Sequence, residues 1–111
     1  MMINWTRLTE LRAEIGDDDL QEVIGLFLEE TDAVIARLSQ RRDPTRLESD
    51  LHFLKGSALN LGFSALADLC QAGERKAAQG AAVTVAILPI IALYRDSKAA
   101  FLAGGQHSSV A

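Results

Sequence analysis

The sequence lacks a second cysteine, an excess of basic charge and a long hydrophobic run, and each absence excludes a class of protein. The single cysteine, Cys70, cannot form an internal disulfide and is typical of a reducing compartment. With 11 Lys and Arg against 15 Asp and Glu, the chain has a net charge of −4 and a pI near 5.0. This balance argues against a nucleic-acid partner, because that affinity comes largely from clustered Lys and Arg contacting phosphates.

The hydrophobic residues are too dispersed for a membrane protein. The longest apolar stretch, residues 81–94, contains Pro89 and is too short to span a bilayer. The N-terminal segment, MMINWTRLTE, lacks the basic start and apolar run of a signal peptide. We therefore expect a cytoplasmic protein with no membrane partner, whose 111 residues form one small domain.

Helical periodicity is present throughout the chain, whereas the alternation typical of strands is absent. A first short helix is predicted to begin after Asn4 and to end at Gly16. Three consecutive aspartates then open a second, longer helix, where negative charge is favoured. A third helix runs from Pro44, capped by Asp43, to a stop at Gly62.

Two more helices are predicted in the remaining part of the chain. One starts near residue 63 or 64 and ends at Gly80, and the last covers about residues 82–102, with Pro89 as a kink or an early turn. Long helices with short connections imply antiparallel neighbours. The predicted fold is therefore all-α: an antiparallel up-down four-helix bundle with a short additional N-terminal helix, over residues 1–103, followed by a flexible tail over residues 104–111.

The third helix carries a histidine and a glycine four residues apart, in the segment LHFLKGSALNLG. A mid-helix glycine costs about 0.5–1 kcal/mol relative to alanine. At 100° per residue, His52 lies roughly 140° and Gly56 roughly 180° from the centre of the apolar stripe, so both face outward. An outward glycine reflects either neutral drift or an outside partner that approaches the helix backbone beside His52. The apolar stripe consists of Leu47, Leu51, Leu54, Ala58 and Leu61.

The surroundings of His52 contain both charged and apolar candidates. Lys55 lies on an adjoining flank of the helix, and a hairpin turning near residues 62–63 places Glu74 level with His52. Glu74 is then expected to accept a hydrogen bond from the imidazole and to leave the other ring nitrogen free as a nucleophile. Alternatively, Glu74 is a surface residue that pairs with Lys55 or Arg75.

Three more residues are candidates for a docking surface around the histidine. Phe53 and Leu59 lie roughly 120° from the core stripe, where they either contact neighbouring helices or form an exposed apolar collar. Ser49 adds a small outward position one turn before His52. The half of the chain that contains them, residues 51–111, has 5 basic and 3 acidic residues, a net charge that weakly favours an anionic partner or a phosphoryl group.

The segment HFLKGSALNLGFSALADLCQAGE, residues 52–74, resembles the histidine-containing phosphotransfer (HPt) domain family. It reproduces the pattern of His, two residues, Lys-Gly-Ser, then Leu-Gly, then Cys and an acidic or amide residue four positions later. The resemblance implies that His52 is phosphorylated, that Lys55 helps to hold the phosphoryl group, that Gly56 clears space for the partner and that Glu74 orients the imidazole.

Two features depart from the family pattern. Gly73 stands where an aliphatic residue is frequent, which is expected to loosen the packing before Glu74. Leu59 and Asn60 are larger than in many members, which is expected to tune the choice of partner.

The resemblance implies a phosphocarrier of a two-component phosphorelay, which exchanges a phosphoryl group between His52 and receiver-domain aspartates. The chain has neither a GxxxxGK[ST] loop nor a glycine-rich kinase motif, so it is not expected to be an enzyme that uses nucleotide. Its expected partners are a response-regulator receiver domain, a hybrid histidine kinase or both, and the chain itself is expected to be a monomer. Mg²⁺ is expected from the receiver, with no metal or other cofactor bound by this chain.

Two alternatives remain open at this point. Glu48 and His52, one turn apart, could share a metal or haem in the bundle, although the other histidine, His107, falls in the predicted tail. Alternatively, the chain is a helical interaction module, or a degenerate HPt-like binder, that uses Phe53 and Leu59 and is never phosphorylated.

Overall fold

The computed structural model describes residues 2–40 and 43–110, with the side chains of residues 105–110 left out. These residues form five α-helices, one short 3-10 helix and no strand. The elements are α1 (Trp5–Ile15), α2 (Asp17–Gln40), α3 (Pro44–Leu61), α4 (Ser64–Ala78), the 3-10 helix (Ala82–Thr84) and α5 (Ile87–Val110). Helices α3 and α5 each contact α2 and α4, so α2–α5 close a bundle, which confirms the predicted all-α fold.

Both ends of α3 form as their sequence predicts. The Asp43 carboxylate accepts hydrogen bonds from the backbone N–H of Thr45 at 3.0 Å and from its hydroxyl at 2.7 Å, and Pro44 follows directly at the start of the helix. At the other end, Gly62 adopts a left-handed conformation with φ of 80°, which a residue with a Cβ disfavours. α3 is therefore a helix of 18 residues whose two ends are fixed by Asp43 and Gly62, and these ends set the position of His52 along the helix.

The short α1 is held against the α3–α4 turn. The Asn4 N–H donates to the Gly62 carbonyl at 2.6 Å, and the indole of Trp5 stacks on the ring of Phe101 with centroids 5.9 Å apart. Asn4 occupies the N-cap position as predicted, but its side chain makes no capping hydrogen bond. The helix therefore depends on tertiary contacts rather than on its own cap.

The end of the chain differs from the prediction. A 3-10 helix covers Ala82–Thr84, and α5 begins only at Ile87, so Pro89 lies in the first helical turn, where its missing N–H leaves no hydrogen bond unmade. The helix then continues to Val110, so residues 104–110, expected as a tail, have a helical backbone. The division of the chain at residue 103 stays a prediction. None of the described helices is long and apolar enough to cross a membrane.

Candidate functional site

His52 lies on the outward face of α3, and 69% of its side chain is exposed. The residues predicted to form the apolar stripe of α3 are at most 1% exposed, so the helix presents its apolar side to the core and the histidine to solvent. This placement excludes a histidine satisfied inside the core. It leaves the ring open to an approaching molecule.

One nitrogen of the exposed ring is held by α4. His52 Nδ1 lies 2.8 Å from Glu74 Oε1, the contact predicted from a hairpin turning at Gly62. Since an ionised carboxylate only accepts hydrogen bonds, the neutral imidazole carries its proton on Nδ1. Nε2 is then unprotonated and has its lone pair available as a nucleophile.

The second oxygen of the same carboxylate pairs with Lys55. Lys55 Nζ lies 2.8 Å from Glu74 Oε2, so the surface pairing considered as an alternative for Glu74 occurs together with the hydrogen bond to His52. The interaction with Lys55, and then the hydrogen bond from His52, lower the pKa of Glu74 against the effect of its partial burial. Glu74 therefore remains a carboxylate that joins α3 to α4 beside the histidine.

The two glycines near His52 have opposite environments. A Cβ added at Gly56 would meet nothing within 4 Å, so no contact inside the fold requires this glycine. A Cβ added at Gly73 would lie 2.9 Å from Leu51 Cδ1 and 3.1 Å from Val85 Cγ1. The expectation that Gly73 loosens the packing is therefore wrong, because its missing side chain lets α4 approach α3 closely one residue before Glu74.

The three residues predicted to form a docking surface are all exposed. Phe53 is 37% and Leu59 is 57% exposed, so neither is sequestered by a neighbouring helix. Ser49 is also exposed, and its hydroxyl donates to the Arg46 carbonyl at 3.0 Å. A shallow open depression beside His52 is lined by Thr45, Glu48, Ser49, His52 and Glu74.

Other kinds of chemistry find little support around the histidine. The described part of the chain contains no group of three or more His, Cys, Asp and Glu side chains placed to hold a metal ion. His107, considered as a second ligand, lies among the residues whose side chains are not described. Burial, and then the charge of Glu74, raise the pKa of the Cys70 thiol to about 12, so this cysteine is a core residue rather than a nucleophile.

A pair of hydrogen bonds that links α1 to the surface around His52 was not predicted from the sequence. Asn60 Nδ2 donates to the Gly56 carbonyl at 3.1 Å, and Arg7 of α1 donates to Asn60 Oδ1 at 3.3 Å. Arg7 and Asn60 are separated by 53 positions in the sequence, so no local pattern signals this contact. Only the docking of α1 on the end of α3 brings the two side chains together.

The similarity of the chain to known proteins extends over α3 and α4, the helices that carry His52, Lys55, Gly56 and Glu74. The Hpt domain model matches residues 22–96, more than half of the chain. The chain belongs to the Hpt domain family. The match leaves α1 of this Hpt domain outside and includes all of α3 and α4. The phosphorelay protein LuxU of Vibrio harveyi is 32% identical over 79 residues, which cover 68% of this chain and 69% of LuxU. No solved structure is significantly similar to this chain.

Proposed function

We propose that this Hpt domain is a phosphocarrier of a phosphorelay and that His52 is the residue that carries the phosphoryl group. The observation that supports this choice is the 2.8 Å hydrogen bond from His52 Nδ1 to Glu74, on a ring whose side chain is 69% exposed. A fixed tautomer and an open Nε2 are what a histidine needs to attack phosphorus without a separate base. Family membership and the similarity to LuxU support the same function.

The transfer is a displacement at phosphorus. The Nε2 lone pair of His52 attacks the phosphorus of an aspartyl phosphate, the N–P bond forms, and the P–O bond to the aspartate breaks with its electron pair leaving on the carboxylate. The product ring is a phosphoimidazolium that retains its Nδ1 proton, and the adjacent Glu74 carboxylate stabilises this positive charge. In the reverse direction an aspartate carboxylate attacks phosphorus and the N–P bond breaks.

The remaining requirements of the transfer come from Lys55 and the partner. Phosphoryl transfer depends chiefly on in-line positioning and on stabilising charge on the transferred oxygens. Lys55 supplies one cation beside the ring. We propose that Mg²⁺ is held by the receiver domain, because the carboxylate nearest to His52, that of Glu74, already binds Lys55 and the imidazole.

The proposed partner is a receiver domain, either of a response regulator or within a hybrid histidine kinase. Gly56, where an added Cβ would meet nothing within 4 Å, would let the partner's active site approach the helix backbone beside His52. The exposed side chains of Phe53, Leu59 and Ser49 would form the surface that contacts the partner. The chain acts as a carrier rather than as an enzyme that turns over nucleotide. Monomeric state and cytoplasmic location stay predictions.

Phosphoryl transfer from a receiver domain, loaded with acetyl phosphate in the presence of Mg²⁺, tests this function. The wild-type chain should gain an acid-labile, alkali-stable label, and His52→Gln should gain none while it still binds the receiver. Label on the variant would place the phosphoryl group on another residue. If the wild type binds receivers but no receiver of a broad panel labels it, the chain is an interaction module that is never phosphorylated.

A further inference from the structure

The surface around His52 extends beyond α3 through a chain of hydrogen bonds. Arg7 donates to Asn60 Oδ1 at 3.3 Å, and the amide of Asn60 donates to the carbonyl of Gly56 at 3.1 Å. Gly56 is the position at which the fold leaves the helix backbone open. The guanidinium of Arg7 is therefore tied, through one side chain, to the backbone that the partner would approach.

Arg7 is held in this place by the docking of α1. The N–H of Asn4 donates to the carbonyl of Gly62 at 2.6 Å, and Trp5 stacks on Phe101 with nearly parallel rings, 7° apart. The Cβ of Arg7 lies 3.6 Å from the position of a Cβ on Gly62. Both the start of the helix and its contact with α5 therefore fix the point from which the Arg7 side chain extends.

The distance from His52 places Arg7 within reach of a docked domain. Asn60 is eight residues after His52, which is about 12 Å along a helix that rises 1.5 Å per residue. A typical protein interface buries about 800 Å² on each partner, a patch with a radius of about 16 Å. A receiver domain centred on His52 would therefore reach Asn60 and the guanidinium bonded to it.

The side chain of Arg7 also has donors to spare. A guanidinium has five N–H groups, of which the hydrogen bond to Asn60 uses one. Within the described residues, Arg7 also forms an ion pair with Glu10, in which Nη1 and Oε2 lie 3.7 Å apart. Because 58% of the Glu10 side chain is exposed to solvent, this ion pair holds the guanidinium only weakly. With 29% of the Arg7 side chain exposed, the remaining donors are available to a partner at the rim of the docking surface.

We propose that Arg7 is a specificity-determining residue for receiver docking, in which its guanidinium donates to an acceptor oxygen, a carboxylate or main-chain carbonyl, on the receiver's surface. The proposal rests on the proposed function of His52. Asn60 is the positioning residue that aims Arg7. Because the family match starts at residue 22, α1 and Arg7 lie outside the matched residues, and we expect Arg7 to distinguish this chain's receiver from those of other members.

The test measures transfer from a phosphorylated receiver that labels the wild type, using Arg7→Glu, Arg7→Gln and the control Arg95→Glu. The Gln variant removes the charge but retains an amide donor. Arg95 is exposed on α5, a helix that packs against α2 and α4. We expect Arg7→Glu to raise the KM for the receiver about tenfold at an unchanged maximal rate, as for a rim charge that affects docking. Arg7→Gln should give a smaller increase and a weaker dependence of KM on salt.

A second donor separates docking from damage to the site. Phosphoramidate is a small phosphoryl donor that needs no protein surface, so it should label all three variants at the wild-type rate. An unchanged KM in Arg7→Glu, an equal increase in Arg95→Glu or slower labelling by phosphoramidate would each overturn the proposal. A wild type that accepts no label from receivers or phosphoramidate would instead contradict the function proposed for His52.

Discussion

Glu74 binds two different groups with its two oxygens, and this division determines the chemistry of His52. Oε1 accepts a hydrogen bond from the imidazole Nδ1–H and Oε2 binds the ammonium of Lys55, each at 2.8 Å. A phosphoryl group on Nε2 would add a second anion within the reach of the same ammonium. Lys55 would then be shared between Glu74 and the phosphoryl oxygens, which reconciles its observed ion pair with the role that the family pattern implies.

Replacing Glu74 should slow phosphorylation of His52 by removing the group that fixes its tautomer. We expect Glu74→Ala to lower the rate of labelling by phosphoramidate by about tenfold, the order of the loss when the hydrogen-bond partner of a metal-ligating histidine is removed. Glu74→Gln, whose amide oxygen still accepts from Nδ1, should lose less. Labelling rates and the ¹⁵N shifts of the imidazole measure the two effects.

Glu48 provides the matched control, because its side chain lines the same depression whereas the Nδ1 hydrogen bond of His52 goes to Glu74. Glu48→Ala should leave both the labelling rate and the tautomer unchanged. Equal losses in the two alanine variants would mean that overall charge, rather than the hydrogen bond from Nδ1, governs the reactivity of His52.

At the scale of the elements, the two glycines near His52 lie in opposite environments, and only that of Gly73 is explained by packing. Gly56 on α3 faces open space, whereas Gly73 on α4 lies against Leu51 and Val85. Both interrupt a helix that alanine would favour. The first is dispensable for the fold, and the second permits the close approach of α3 and α4 that brings Glu74 to His52.

Alanine at these positions should therefore have opposite effects on stability. Gly56→Ala should raise the free energy of unfolding by about 0.5–1 kcal/mol while it weakens receiver docking. Gly73→Ala should lower the free energy of unfolding by about 1–3 kcal/mol, because the added methyl overpacks a buried contact. Urea denaturation measures both changes, and the KM for the receiver measures docking.

Gly25 on α2, where an added Cβ also meets nothing within 4 Å, is the control. Gly25→Ala should stabilise the chain like Gly56→Ala and leave the KM for the receiver unchanged. Tolerance of Gly73→Ala without loss of stability would show that Leu51 and Val85 can move aside, contrary to this account of the α3–α4 interface.

The sequence predicts features that depend on one helix, and a hairpin turn predicts that Glu74 lies level with His52, but the sequence does not predict the close packing between helices. The ends of α3, its buried stripe and the outward direction of His52 follow from caps and from a 100° step, which are local properties. The tight environment of Gly73 and the contact of Arg7 with Asn60 depend on the rotation and axial shift between helices. Those are set by packing of the whole core.

At the scale of the whole molecule, a polar cluster joins α2 to α5. Asp32 accepts hydrogen bonds from the Tyr94 hydroxyl and from Lys98 Nζ, the latter at 2.8 Å. Burial works to raise the pKa of Asp32, but these hydrogen bonds outweigh it and hold the pKa below its usual value. Burial and the hydrogen bond to Asp32 raise the pKa of Tyr94.

These pKa shifts predict how stability changes with pH. The pKa values of Asp32 and Glu74 are lowered from 3.8 and 4.5, so their stabilisation is present above those values and is lost as the pH falls below them. The pKa of Cys70 is raised from 9.0 to about 12 and that of Tyr94 is raised from 10.0, so their stabilisation is complete below pH 9 and is lost at higher pH.

Urea denaturation between pH 3 and pH 11 should therefore show a plateau of stability that falls at both ends. Tyr94→Phe, which has no phenol to ionise, should lose less of its stability between neutral and alkaline pH than the wild type. A wild type whose stability continues to rise above pH 10 would contradict the described environments of Tyr94 and Cys70.

We propose that the Nε2 atom of His52 carries the phosphoryl group. The most direct measurement is a ¹H–¹⁵N correlation spectrum of the ¹⁵N-labelled chain, recorded before and after phosphorylation by a receiver domain. The account predicts that the phosphorylated nitrogen is Nε2 of His52 and that Nδ1 keeps its proton against Glu74. A phosphoryl group on Nδ1, on His107 or on no histidine at all would contradict it.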